Sequence, residues 1–352
     1  MYTSSKAKHA MCAIFFTTLS MANVAHAENI TLIGASSTYG YPLLSKWAKI
    51  NSPISGVDYL IDQSGVDENV EKIYKLKVDF STTEKPLTQD EQKKYNLAQF
   101  PLVIGAVVPI INLPNFEPGE LQLNGSVLAK IFLGQITKWN DPEIQSMNQE
   151  NKLPDLPIKP VYRTDPSGSS FILAHYFSKV SDVWNAQFGN NTTVKWPSGE
   201  GITGGEALAI HVKNTVGSIG YVEYTYARTL NYVALKNKNG AYVFPSSETF
   251  SAAVSNSNFL KNGDFADIMT DEPGDKSWPI VGATYALVST AGNDKEHTLK
   301  TLGFFDWAYR YGSEIAIDLD YVPIPSSLYE KIEDAWKQDI RDKNNNQVWA
   351  VK

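Results

Sequence analysis

Cysteine is nearly missing from this 352-residue chain, whose one copy is Cys12. That residue lies in a leader-like stretch, so the remainder can form neither disulfides nor thiolate metal sites. Histidine is scarce as well. Beyond residue 27 there are only His175, His211 and His297, scattered and without carboxylates at ligand spacing. A metal-dependent hydrolytic centre is therefore not expected, and no cofactor is implied. Positive charge is in deficit, with 31 Lys and Arg against 38 Asp and Glu and a net charge of −7. Such a balance argues against nucleic acid as a partner. After the leader no apolar run is long enough to cross a bilayer as a helix.

What is present begins with an export signal. Lys6 and Lys8 give a positive start, Ala10 to Val24 is mostly apolar, and Ala25-His26-Ala27 supplies small residues before Glu28. This three-part order predicts cleavage after Ala27. Cys12 follows Met11 without the aliphatic residues of a lipid-attachment site. Cleavage removes two lysines and no acid, taking the charge from −7 to −9. Any anion the protein holds must then be held by local groups against the overall field. The remaining length suits two domains of ordinary size.

Short β-rich runs alternate with amphipathic stretches, which predicts an α/β fold. Strands are expected at Asn29–Ile33, Val57–Ile61, Val78–Ser81, Ile158–Arg163, Ser218–Val222 and Tyr285–Ser289. Helices are expected at Pro42–Ile50, Asp67–Leu76, Leu123–Phe132, Asp141–Asn148, Ser170–Lys179, Glu206–Val212, Leu302–Tyr311 and Ser326–Ile340. Leu102–Asn112 is apolar but contains Gly105 and Pro109. It is too broken for a helix and suits a strand that leaves one domain and enters the next. Asn344-Asn345-Asn346 reads as a loop.

Three places share one design of strand, short Ser/Thr/Gly loop and helix. They are Gly34-Ala-Ser-Ser-Thr38-Tyr39, Ser64-Gly65, and Arg163-Thr-Asp165-Pro-Ser167-Gly168-Ser169-Ser170. A helix N-terminus has unpaired N–H groups and partial positive charge, glycine admits an anion closely, and hydroxyls add donors. Arg163 adds a planar fork suited to a tetrahedral oxyanion. Ser, Thr, Asp and Gly are also the residues of ordinary helix caps, so composition leaves both readings open. Gly199-Glu-Gly201-Ile-Thr-Gly204 matches a dinucleotide fingerprint, with Glu223 at a plausible distance. It lacks the preceding strand, so these glycines are expected to form a loop opening the Glu206–Val212 helix.

At these loops the sequence resembles the periplasmic phosphate-binding proteins of bacterial phosphate ABC importers. Segments that carry the resemblance include Phe100-Pro-Leu-Val-Ile-Gly105, Ile131-Phe-Leu-Gly-Gln-Ile-Thr-Lys-Trp139 and Val194-Lys-Trp-Pro197. Ile219-Gly-Tyr-Val-Glu-Tyr224, Phe304-Phe-Asp-Trp-Ala308 and Asp318-Leu-Asp-Tyr321 add to them. The resemblance implies a two-lobed α/β clam-shell, the type II periplasmic-binding-protein fold, with the ligand between lobes. Residues 28–105 with 282–352 would form one lobe and 106–281 the other. It implies inorganic phosphate as ligand, a membrane permease as partner, a periplasmic location, a monomer and no enzymatic activity. Carried over by position, the phosphate donors would be Thr38, Tyr39 (through its amide), Ser64, Ser167, Gly168 and Ser169, with Arg163 as cationic anchor and Asp165 its acidic neighbour.

One position departs from the family. Ser81-Thr-Thr-Glu84-Lys85-Pro86-Leu87 carries a glutamate where an aspartate is usual. A carboxylate there would accept the proton of phosphate and repel fully ionised sulfate. Glu84 can do the same but reaches further by about one C–C bond. Ser169, where threonine is usual, keeps the hydroxyl. Two other classes stay open: a paralogue with a surface or signalling role or another oxyanion, and an exported phosphatase.

Overall fold

A computed structural model describes Met1 and residues 30–259, 265–292, 294–342 and 344–350. The predicted leader, apart from Met1, lies outside the described residues, as does Asn29 of the first expected strand. The fold is α/β, built on one large mixed sheet with helices packed against it. Its main sheet runs in the order Asp58–Gln63, Thr31–Ser36, Phe80–Thr83, Val281–Ser289, Leu97–Ile111, Ser218–Glu223, Lys159–Arg163 and Glu200–Ile202, with Val322–Pro323 also paired to Leu97–Ile111.

The run expected to join two domains is a 15-residue strand, Leu97–Ile111. Its first part, Leu97 to Ala106, pairs antiparallel with Val281–Ser289, and its last five residues pair with Ile219 to Glu223. Two prolines are accommodated in it. Opposite Pro101 the register shifts between Thr284 and Tyr285, a bulge that absorbs the missing N–H. Further along, the carbonyl of Pro109 accepts from Val233 N at 3.2 Å.

The parallel pairs Thr31–Ser36 with Asp58–Gln63 and Lys159–Arg163 with Glu200–Ile202 follow from strand–helix–strand connections. Helices Tyr41–Ser55, Val66–Tyr74 and Lys295–Tyr311 cover the Thr31–Ser36 side of the sheet, and Gly168–Val180 and Gly205–Asn214 the Lys159–Arg163 side. Each side has an aromatic core. Phe80, Phe100, Phe305 and Trp336 meet edge to face in one. Phe132, Phe177, Trp184 and Trp196 pack in the other. Edge-to-face contacts suit the ring quadrupole and add to the burial term.

Several boundaries differ from expectation for local reasons. The helix expected from Leu123 begins at Gly125, because Gln122–Asn124 forms a strand and the Asn124 side chain caps Val127 N. The helix expected from Ser170 begins at Gly168, capped by Ser167. Strand Ser218–Val222 runs one residue further, through Glu223. The helix Ser247–Asn256 was not expected. Its Ser/Ala-rich sequence has a weak apolar stripe, and a reciprocal Ser246–Thr249 cap starts it.

Candidate functional site

Each predicted loop lies where a strand of the sheet hands over to a helix. Thr38 and Tyr39 follow Thr31–Ser36 and precede Tyr41–Ser55, and Glu84 follows Phe80–Thr83. Arg163 ends its strand, and Ser167 caps the helix of Gly168 and Ser169, its hydroxyl accepting from Ser170 N at 3.3 Å. The fold brings these parts together. Arg163 Nη1 donates to Thr38 Oγ1 at 3.2 Å across 125 residues of chain. A Cβ on Gly168 would lie 2.2 Å from Glu84 Oε2, so that carboxylate is laid directly on the first residue of the helix.

The remaining expected residues are placed differently. Ser64 donates its hydroxyl to Asn69 Oδ1 at 2.7 Å and accepts from Lys72 Nζ at 2.9 Å. With Thr38, Gly65 and Asp165 it lines a cavity of about 730 Å³. Tyr39 is buried with its ring on Gly105, whose Cβ would come 2.7 Å from the phenol oxygen. The carbonyl of Tyr39 accepts from Tyr321 Oη at 2.5 Å, which fixes the loop.

Charge is unevenly matched in this cluster. Arg163 is 3% exposed and binds Asp165 through both Nε, at 2.8 Å, and Nη2. Burial disfavours its charge, but the Asp165 hydrogen bond and the charges of Glu223 and Asp165 raise its pKa beyond the ordinary value. Asp165 is held below the usual carboxylate range. Its own burial is outweighed by Arg163 and by the amide of Gly204 at 3.0 Å.

Glu84 is 1% exposed, and burial pushes its pKa up to about 7, with the charge of Glu223 adding to the shift. The hydroxyls of Ser37 (2.7 Å) and Thr284 (3.1 Å) donate to Oε1 and hold the shift in check. Its Oε2 is buried without a hydrogen-bond partner.

Glu223 was missed as a member of this site. It accepts from Ser169 Oγ at 2.6 Å and Thr38 Oγ1 at 3.2 Å and lies 3.8 Å from Arg163 Nη1. The signal available was a carboxylate ending Ser218-Ile-Gly-Tyr-Val, a run that is buried throughout. The glycines of the dinucleotide-like pattern form the short strand Glu200–Ile202 and the turn into Gly205–Asn214. The histidines stay apart: His175 pairs with Thr270, His211 lies beside Glu200, and His297 with Asp79.

A buried arginine, hydroxyls and two helix starts gathered beside a strand that runs through both halves of the sheet define a solute-binding protein of the periplasmic-binding class. A profile described as the PBP superfamily domain matches residues 22–310. The phosphate-binding protein PstS of Pasteurella multocida is 38% identical over 341 residues, covering 96% of this chain and 98% of that one. Among solved structures, a periplasmic phosphate-binding protein (PfluDING) bound with phosphate superposes with a TM-score of 0.72 at 18% identity, covering 91% of this chain and 98% of that one. The phosphate-binding protein from Stenotrophomonas maltophilia gives 0.65 at 17%, with 86% and 93% covered. The chain belongs to the PBP superfamily and, within it, to the PstS family of phosphate-binding proteins.

Proposed function

We propose that this is an exported solute-binding protein that takes up inorganic phosphate and delivers it to an ABC-type phosphate importer. The observation that carries the reading is Arg163, buried and paired to Asp165 while its Nη1 is turned to Thr38 and the hydroxyl of Ser169 lies close by. Oriented amides and hydroxyls can hold an oxyanion in a dry cleft without matching its charge one for one. The names of the relatives support phosphate as that oxyanion.

In this reading Thr38, Tyr39, Ser64, Ser167, Gly168 and Ser169 donate to phosphate, Arg163 anchors it, Asp165 holds Arg163, and Glu84 accepts its proton. The lobes are 28–105 with 282–352, and 106–281. After cleavage near Ala27 the protein works in the periplasm as a monomer, without catalysis. Phosphate bridges the lobes and shifts the population to the closed form, which the permease recognises.

Calorimetric titration of the phosphate-stripped mature protein near neutral pH tests this. Phosphate is expected to bind and sulfate to give no response. Arg163→Ala is expected to weaken phosphate binding by more than about tenfold, since a charge-assisted contact in a desolvated cleft exceeds about 1.4 kcal/mol. A folded protein that ignores phosphate, or an unchanged affinity in Arg163→Ala, overturns the function or the site respectively. Turnover of a chromogenic phosphate ester would overturn the non-enzymatic part.

A further inference from the structure

The first anion loop ends on a carbonyl that a distant part of the chain holds. Tyr39 O stands just before the helical ladder of Tyr41–Ser55, in which Gly40 O takes Leu44 N at 3.1 Å. It accepts instead from the phenol of Tyr321 at 2.5 Å, across 282 residues of chain. Both residues are buried. They also rest on the same strand. Val322, next to Tyr321, pairs with Ile104 of Leu97–Ile111, and the ring of Tyr39 lies on Gly105.

Tyr321 ends a short corner, Leu319-Asp320-Tyr321, that is tied down from elsewhere. Thr225 Oγ1 donates to Leu319 O at 3.2 Å, and Arg228 Nη1 donates to Asp320 Oδ2 at 2.7 Å. Asp320 has a φ of +63°, a left-handed conformation that a residue with a Cβ keeps only when its surroundings hold it. Thr225 and Arg228 belong to the helical turn Tyr224–Ala227 and its C-terminal cap, directly after Glu223. Glu223 in turn accepts from Thr38 Oγ1 at 3.2 Å. With the lobes proposed above, residues 223–228 of one lobe therefore reach the Thr38–Tyr39 loop of the other twice. One contact is direct, and one runs through the corner that carries Tyr321.

We propose that Tyr321 is the positioning residue of the first anion loop, held in place by Thr225 and Arg228 across the lobe boundary. This rests on the phosphate reading above and adds the residue that orders Thr38 and the Tyr39 amide before the anion arrives. A loop that is already ordered loses little conformational freedom on binding, so more of its contact energy appears as affinity. Without the phenol hydroxyl a buried carbonyl loses its donor, and the loop loses its tie to the long strand.

The test compares two single-atom deletions. Tyr321→Phe keeps the ring and removes the hydroxyl. Tyr309→Phe is a matched control, because Tyr309 Oη also donates to a backbone carbonyl at 2.5 Å, that of Pro101, on a strand and not on an anion loop. Each is read by calorimetric titration with inorganic phosphate and by hydrogen exchange of the ligand-free protein. Tyr321→Phe is expected to raise the dissociation constant about tenfold. It is also expected to speed exchange over residues 37–41, where Tyr41 N is bonded to Ser37 O at 3.0 Å. Tyr309→Phe is expected to lower the melting temperature and leave the dissociation constant unchanged. Asp320→Asn keeps a residue that tolerates left-handed φ and removes the charge opposite Arg228. It is expected to speed the same exchange and raise the dissociation constant about two- to fivefold, and it serves as the test where Tyr321→Phe does not fold. Unchanged phosphate affinity in a folded Tyr321→Phe, or an equal loss in Tyr309→Phe, overturns the positioning role. Wild-type exchange over residues 37–41 in Asp320→Asn overturns the hold across the boundary. A wild type that binds no phosphate overturns the phosphate reading instead, and the exchange rates still judge what Tyr321 does to the loop.

Discussion

In the proposed site a single carboxylate, Glu84, would link ligand choice to stability. Its pKa rises from 4.5 to about 7 on folding, chiefly through burial. The folded protein therefore holds that proton more tightly than the unfolded chain. The resulting stabilisation is complete below about pH 4.5 and is lost as pH rises through about 7, in total about 3 kcal/mol. Glu84→Gln, which stays neutral, is expected to raise the melting temperature of the ligand-free protein at about pH 8 and to change it little at about pH 4.5. Melting curves with the same pH slope in both proteins would show that Glu84 is not the group responsible. The amide also supplies a donor where the wild type presents a bare acceptor, so sulfate, silent in the wild type, is expected to bind the variant. Arg163, Asp165 and the Ser167–Ser169 run stood out in the sequence because helix-start chemistry needs a recognisable local composition, whereas Glu84, which follows a strand, came only from the family resemblance. Glu223 did not stand out, because its partners Thr38 and Ser169 are 185 and 54 residues away and only the sheet order brings them together.

Among the elements, the helix Gly168–Val180 has the tightest requirement at its first residue. A methyl on Gly168 would meet Glu84 Oε2 at 2.2 Å and Cγ at 2.6 Å, so the carboxylate must move. Overpacking of this kind costs about 1–3 kcal/mol. Gly168→Ala is expected to lower the melting temperature and weaken phosphate binding at least about tenfold, because Glu84 and the Gly168 amide leave position together. Gly303, within helix Lys295–Tyr311, has nothing within 4 Å of its added methyl. Gly303→Ala should stabilise by about 0.5–1 kcal/mol and leave affinity unchanged, which separates packing at the site from packing in general. Elements with a strong periodic stripe or a continuous apolar run were legible to within a few residues, the long strand Leu97–Ile111 among them. Pieces such as Glu200–Ile202 and Gln122–Asn124 were not. Three residues carry no period, and their strand character comes from the neighbours Lys159–Arg163 and Ala234–Lys236.

For the whole molecule the question is what holds the cleft shut. Thr192 Oγ1 donates to both oxygens of Asp67, at 2.9 and 3.1 Å. Val66 N reaches Pro166 O at 3.4 Å, and Lys85 Nζ reaches Asn191 Oδ1 at 3.4 Å. At another part of the boundary Arg228 pairs with Asp320 at 2.7 Å. These contacts join segments far apart in sequence and, with the lobes proposed above, link one lobe to the other, so each is expected to bias the opening equilibrium without touching the anion. Asp67 is exposed but its partner Thr192 is buried, so the hydrogen bond is worth about 1 kcal/mol. Removing it shifts the balance of closed to open about fivefold toward open. Asp67→Ala is expected to raise the dissociation constant for phosphate by about that factor and to enlarge the ligand-free radius of gyration in small-angle scattering. Saturating phosphate should restore the compact value, because the ligand still bridges the two sides. The proton count on binding should stay that of the wild type, since Glu84 is untouched. An affinity loss accompanied by a changed proton count would mean that Asp67 acts on the site itself and not on the closing motion.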